Sequence, residues 1–221
     1  MINWNTIDTV LLDMDGTLLD LHFDTYFWTK LVPAKYAEQL GIPVDEAKAI
    51  YTPLLAKTAG SLQWYCLDFW SEALSLDLVS LKREAQDLIR FRPHAEVFLK
   101  ALKNTSKTVI MITNAHRDTL SFKLERLPMA HYFTQLISSH DYGYPKEHPQ
   151  FWQILESRIN LDKQRALFID DTDSILDAAK TYGIAQILTI ETPDSHKPPV
   201  NTGGYKAVKD FRDLLANEGT L

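Results

Sequence analysis

A single cysteine, Cys66, stands among 221 residues, which excludes an intramolecular disulfide and a cysteine-rich metal centre. No apolar run approaches the ~18 residues that a bilayer-spanning helix needs. The opening stretch MINWNTIDTV has neither the basic start nor the long apolar centre of a secretory signal. Together these absences lead to the expectation of a cytoplasmic protein with no membrane partner. Positive charge is short as well: 23 Lys and Arg face 29 Asp and Glu, for a net charge of −6. A nucleic-acid scaffold would carry a basic patch or stripe, so that class is disfavoured. A small phosphorylated substrate is not, because a local pocket can be positive on an acidic chain. No internal repeat and no low-complexity tract interrupts the chain. At 45% hydrophobic and 24% charged residues, the composition is that of a globular protein with enough length for a full core and a second, smaller domain.

What the chain does have is alternation. Short apolar runs at Thr9–Leu12, Thr108–Ile112, Gln135–Ser138, Ala166–Ile169 and Ile184–Ile190 read as buried parallel strands. Amphipathic stretches at Ala95–Leu102, Thr119–Leu127, Pro149–Ile159 and Ser174–Tyr182 lie between the later ones, and Gly183 suits a helix C′ position. From residue 93 onward this predicts an α/β domain with a parallel sheet. Residues 20–92 break the pattern and read as successive helices, an insertion directly after the first strand. TPDSHKPPVNTGG reads as a loop before a short final strand and helix in KAVKDFRDLLA.

The first strand runs into DMDGT, placing Asp13 and Asp15 one residue apart, with Gly16 allowing a sharp turn. Two unit charges 4 Å apart repel by about 4 kcal/mol at an effective dielectric near 20. Alone, such a pair is a solvated loop or a capped turn. Three other strand ends change that reading. The second ends in TNAH, with Thr113 and Asn114; a loop after the third carries Lys146 in GYPKE; the fourth ends in a second acidic pair, Asp170 and Asp171. In a parallel sheet these ends share one edge, where ligands bind. Converging carboxylates need a cation, and all-oxygen donors favour a hard one such as Mg²⁺.

This ordered set resembles the haloacid dehalogenase (HAD) superfamily of phosphohydrolases: LLDMDGTLLD matches its first motif, Thr113 the second, Lys146 the third and IDDTDSILDAA the fourth. GYPKE departs slightly from the family's Lys-Pro form, since Pro145 precedes the lysine. The resemblance implies a Rossmann-like core over residues 1–19 and 93–221, with residues 20–92 as an inserted helical cap domain. It implies Asp13 as nucleophile, forming an aspartyl-phosphate from a phosphomonoester, and Asp15 as general acid and then general base. Mg²⁺ would be held by Asp13, the Asp15 carbonyl and Asp171, with Asp170 behind them or acting through water. Thr113, Asn114 and Lys146 would bind the phosphoryl group. The presence of Asp15 favours phosphate esters over carbon–halogen bonds.

Within that superfamily, TVLLDMDGTLLDLHFDTYFW, LQWYCLDFWSEAL, TNAH and GYPKE are similar to bacterial GMP/IMP nucleotidases, which implies a purine nucleoside 5′-monophosphate substrate. The motifs themselves leave a sugar-phosphate phosphatase or phosphomutase open, as well as a non-catalytic sensor of a phosphometabolite. A monomer is expected. The insertion's aromatics, Phe23, Tyr26, Phe27, Trp28, Trp64, Tyr65, Phe69 and Trp70, read mainly as a small helical core, with one or two free to stack on a base. Cys66 reads as a buried apolar thiol without an activating neighbour. His116 follows TNA near the phosphate motifs; His140 and His148 flank the Lys146 loop; the histidines show no metal-ligand spacing.

Overall fold

A computed structural model describes residues 2–215. Its sheet consists of β1 (Thr9–Leu12), β2 (Thr108–Thr113), β3 (Gln135–Ser138), β4 (Ala166–Ile169), β5 (Gln186–Ile190) and β6 (Ala207–Val208). The spatial order is β3-β2-β1-β4-β5-β6, and every pair is parallel. Strands β1 and β4 are buried on both faces, which is why they read as continuous apolar runs rather than alternating ones. Val10 and Leu12 point into one apolar layer with Met111 and Ile169, while Leu11 joins Ile110, Phe168 and Trp152 in the other. Helices α6 (Ala95–Lys103) and α7 (Arg117–Arg126) cover the first face; α8 (Pro149–Ile159) and α9 (Asp173–Tyr182) cover the second.

Several boundaries differ from the sequence expectation for identifiable reasons. The fifth strand begins at Gln186 rather than Ile184 because the Ile184 N–H bonds back to the Ala179 carbonyl. That bond closes the end of α9 around Gly183, which has φ 102°. Helix α7 starts at Arg117, two residues early, since His116 caps it by accepting from the Asp118 N–H. The final helix is a single 3₁₀ turn, Phe211–Leu214; Ala216, the last residue of that stretch, lies outside the described residues.

Residues 20–92 are helical, as expected. Helix α1 (His22–Tyr26), a π-helical turn (Phe27–Leu31) and α2 (Val32–Leu40) run on without a break. The π turn sits where Pro33 lacks the N–H that would bond the Thr29 carbonyl. Helices α3 (Val44–Thr58), α4 (Leu67–Leu74) and α5 (Leu78–Glu84) complete the insertion, and Cys66, in extended backbone, separates a 3₁₀ turn (Leu62–Tyr65) from α4. Phe27, Val32, Tyr51, Trp70, Leu74 and Leu78 pack into an apolar cluster of their own. The chain leaves and re-enters the sheet region through two paired segments. Leu19 bridges Phe91, the Asp20 N–H bonds the Arg90 carbonyl, and the Arg92 N–H bonds the Leu18 carbonyl.

Candidate active site

Register places the site. Leu12 lies level with Met111 and Ile169, so Asp13, Thr113 and the Asp170–Asp171 pair emerge at one edge of the sheet. Asp13 remains tied to the sheet through its N–H, which donates to the Ile169 carbonyl at 3.0 Å. The chain then folds back sharply: the Leu18 and Leu19 N–H groups both reach the Met14 carbonyl. Gly16, with φ 83°, makes that turn, and a Cβ there would run into the Asp171 carboxylate.

Asp13, Asp15, Thr113, Asn114, Lys146, Asp170 and Asp171, all named from the sequence, line one cavity of about 430 Å³. Carboxylate oxygens of Asp13, Asp170 and Asp171 lie within 4.8 Å of one another. Lys146, fully buried, donates to Asp13 Oδ1 at 2.5 Å and to Asp170 Oδ2 at 2.6 Å. Burial opposes its charge, but the two carboxylates outweigh burial and hold the amine above the ordinary lysine value. The loop that delivers it is fixed twice: the Lys146 N–H donates to Asn114 Oδ1, and its carbonyl accepts from the Trp152 indole. Thr113 Oγ1 accepts from the Ala115 N–H, ordering the turn after β2.

One lysine cannot neutralise three carboxylates. Burial pushes the Asp13 carboxyl up to about 6, with Lys146 pulling down and Asp170 pushing further up. Burial, then Asp170 and Asp13, raise Asp171 well above the carboxylate range. Asp170 is raised too, by burial that Lys146 only partly offsets. An all-oxygen set with this uncompensated negative charge, beside a glycine that leaves it room, fits a hard divalent cation.

Asp15 stands apart from this trio. Its Oδ1 accepts from Lys123 Nζ at 2.6 Å, and Lys123 also donates to Asp24 Oδ2 at 2.6 Å. A further lysine, Lys82, donates to Asp24 at 3.4 Å, with its ammonium 4.5 Å from the centre of the Phe27 ring. Burial raises the Asp15 carboxyl to about 6 against the pull of Lys123, with Asp24 and Asp13 adding to the rise. Sequence reasoning missed this Asp15–Lys123–Asp24–Lys82 chain. It also missed Glu147, which accepts from Tyr65 Oη at 2.7 Å and from Asn114 Nδ2 at 2.9 Å, joining the insertion to the rim.

Among the aromatics, Phe23, Phe27 and Trp70 are buried core, whereas Trp28, Trp64 and Tyr65 line the cavity. Cys66 differs from expectation: it is partly exposed rather than buried. His116 lines the cavity and faces Asp68 of the insertion at 3.7 Å; His140 and His148 do not line it.

The chain belongs to the haloacid dehalogenase-like hydrolases, whose family model matches residues 7–183. It is 41% identical over 214 residues to the GMP/IMP nucleotidase YrfG of Escherichia coli K12, an alignment covering 97% of this chain and 96% of that one. A HAD phosphatase from Thermococcus onnurineus superposes with a TM-score of 0.77 at 21% identity, covering 96% of this chain and 99% of that one. The HAD-hydrolase YfnB from Bacillus subtilis, solved bound to magnesium, superposes with a TM-score of 0.63 at 18% identity, over 94% and 96% of the respective chains. Both structural likenesses are likenesses of fold. Among the described residues no helix is long and apolar enough to cross a membrane.

Proposed function

We propose that this hydrolase cleaves phosphate monoesters, with purine nucleoside 5′-monophosphates of the GMP and IMP kind as substrates and Mg²⁺ as the resident cation. The observation that carries the reading is the gathering of Asp13, Asp170 and Asp171 around Lys146, with Asp15 held separately by Lys123 at the same cavity. Asp13 attacks phosphorus, its carboxylate oxygen forming the new P–O bond as the ester oxygen leaves. Asp15 gives that oxygen a proton and later takes one from the water that releases phosphate. Its raised carboxyl, near 6, suits both directions at neutral pH, and Lys123 holds one oxygen in place. Lys146, Thr113 and Asn114 bind the phosphoryl oxygens. Asp13, Asp171 and the Asp15 main-chain carbonyl would hold Mg²⁺, with Asp170 behind them, and the ion would supply positive charge to the phosphoryl oxygens.

Residues 20–92 act as a cap domain over a core formed by 1–19 and 93–221. The separate apolar cluster of the insertion, the paired neck at Leu18–Asp20 and Arg90–Arg92, and the aromatic lining from Trp28, Trp64 and Tyr65 support that division. The cap aromatics give a planar base a stacking surface, and the similarity to the E. coli nucleotidase favours a purine. The test is phosphate release from GMP, IMP, AMP and hexose phosphates, with and without Mg²⁺. GMP and IMP should lead, and Asp13→Asn should abolish turnover while leaving the circular dichroism spectrum unchanged. Hexose phosphates leading would overturn the purine assignment; no Mg²⁺-dependent release from any ester would overturn the phosphatase.

A further inference from the structure

The insertion also touches the core at a place the phosphate chemistry does not use. Cys66, in the extended residue between the 3₁₀ turn and α4, comes together with His116, the cap of α7, and His140, in the turn after β3. One ligand atom of each lies within 4.8 Å of the others. The sequence hides this, since 50 and 24 residues separate them in order (116 − 66 and 140 − 116). Two observations point to a ligand. His140 Nε2 is buried with no hydrogen-bond partner, while the Asn114 main chain lies beside the ring. A main-chain carbonyl beside one ring nitrogen favours the tautomer that leaves the other lone pair free, the arrangement found behind metal-ligating histidines. The second is local charge: Asp68 lies 3.7 Å from His116 Nε2 and Asp118 lies 3.6 Å from Nδ1, so acidic groups flank the cluster.

We propose that Cys66, His116 and His140, completed by the Asp68 carboxylate, form a binding site for a borderline-soft divalent cation, Zn²⁺, that fastens the helical insertion to the sheet rim. Sulfur and imidazole donors select such an ion over Mg²⁺. Tetrahedral Zn²⁺ with Zn–N and Zn–S bonds of ~2.0–2.3 Å needs ligand separations of about 3.3–3.8 Å. Asp68 already stands 3.7 Å from His116 Nε2, and the Cys66, His116 and His140 atoms, within 4.8 Å of one another, have to close by at most about 1 Å. Binding displaces the thiol proton of Cys66 to solvent and leaves both imidazoles neutral. The His116 proton moves to Nδ1, where it faces the Asp118 carboxylate in place of the Asp118 N–H from which Nδ1 accepts in the free chain. Two of the four ligands belong to the insertion and two to the core, so occupancy restrains their separation and slows each catalytic cycle that requires it.

The test uses the full chain, with Mg²⁺ in excess to fill the carboxylate trio, titrated with Co²⁺ as a spectroscopic substitute for Zn²⁺. One equivalent should give the visible bands of tetrahedral cobalt together with a thiolate charge-transfer band. Cys66 is the chain's only cysteine, so that band reports it alone. Zn²⁺ should bleach the bands, Cys66→Ser should abolish the charge-transfer band, and His140→Gln should weaken binding by ~10–100-fold or more, the loss that even supporting residues cause at metal sites. Absence of a thiolate band in the wild type, or a band and affinity unchanged in His140→Gln, would overturn the site. Because this readout needs no turnover, it stands whether or not the phosphatase reading holds. Zn²⁺ inhibition at saturating Mg²⁺ should also disappear in Cys66→Ser; inhibition that persists there and is relieved by more Mg²⁺ would show Zn²⁺ acting at the carboxylates instead and overturn the restraint.

Discussion

The side chains that matter most at this site are charged and buried, and each is tolerable only through its partner. Lys123 is 1% exposed and joins Asp15 to Asp24. Removing one member of such a set leaves the others as unpaired buried charge, at about 3–5 kcal/mol; since Asp15 is 21% exposed, the lower end applies. Lys123→Met should therefore cost ~3 kcal/mol in denaturant melts and move the alkaline limb of the kcat/KM profile to higher pH, as Asp15, the proton donor of the first step, loses the cation that pulls its carboxyl down. An unshifted alkaline limb would remove Asp15 from the proton transfer to the leaving group. Lys123 was not legible beforehand. Thr119–Leu127 reads as an amphipathic stretch without marking which polar residue turns inward, and only the packing of α7 against α1, where Phe122 meets Phe23 and Lys123 meets Asp24, does so. Asp13 and Asp15 were legible, because charge after an apolar strand has few structural explanations.

At the scale of elements, the turn after β1 decides whether the carboxylates can share an edge. Gly16 and Gly183 have φ values of 83° and 102°, and an alanine costs about 1–2 kcal/mol in such a backbone. Around Gly183 nothing lies within 4 Å of an added Cβ, whereas at Gly16 the Asp171 carboxylate occupies that space. Gly183→Ala should lower stability by that amount and keep activity; Gly16→Ala should lose phosphate release by orders of magnitude. Equal kinetics in the two variants would separate Asp171 from function. Elements buried on both faces, such as β1 and β4, were legible as continuous apolar runs, and Pro149–Ile159 matches α8 end to end because Pro149 marks its first turn. The first residue of β5 and the terminal helix were not, since a capping hydrogen bond claims Ile184 and the last segment closes as 3₁₀.

For the whole molecule, charge at the rim and contact between insertion and core set the behaviour. Between the ordinary 3.8 and about 6, the folded protein keeps protons on Asp13 and Asp15 that the unfolded chain has released. These groups therefore oppose folding increasingly as pH rises through that window, in the absence of a cation. Mg²⁺ should raise the melting temperature more at pH 7.5 than at pH 5, where ~1 kcal/mol corresponds to about 2–4 °C at this chain length; a shift independent of pH would place the ion elsewhere. Tyr65→Phe removes a hydrogen bond to the Glu147 carboxylate, worth about 1.5–3 kcal/mol when one partner is charged. Steady-state kinetics should show KM rising about tenfold or more with kcat within a few-fold. A fall in kcat alone would assign Tyr65 to the chemistry. The presence of a helical insertion was legible from its broken alternation, but its contacts with the rim were not, because Tyr65, Glu147 and Asn114 meet only once the fold brings them together.

The neck through which that insertion joins the sheet has a consequence for descent. Leu18–Asp20 and Arg90–Arg92 run side by side, hydrogen-bonded to each other, so exit and return occur at a single doorway. Whatever lies beyond the doorway can lengthen, shrink or be exchanged without rerouting a strand. Bond cleavage and the choice of what is cleaved can in this way diverge at separate rates.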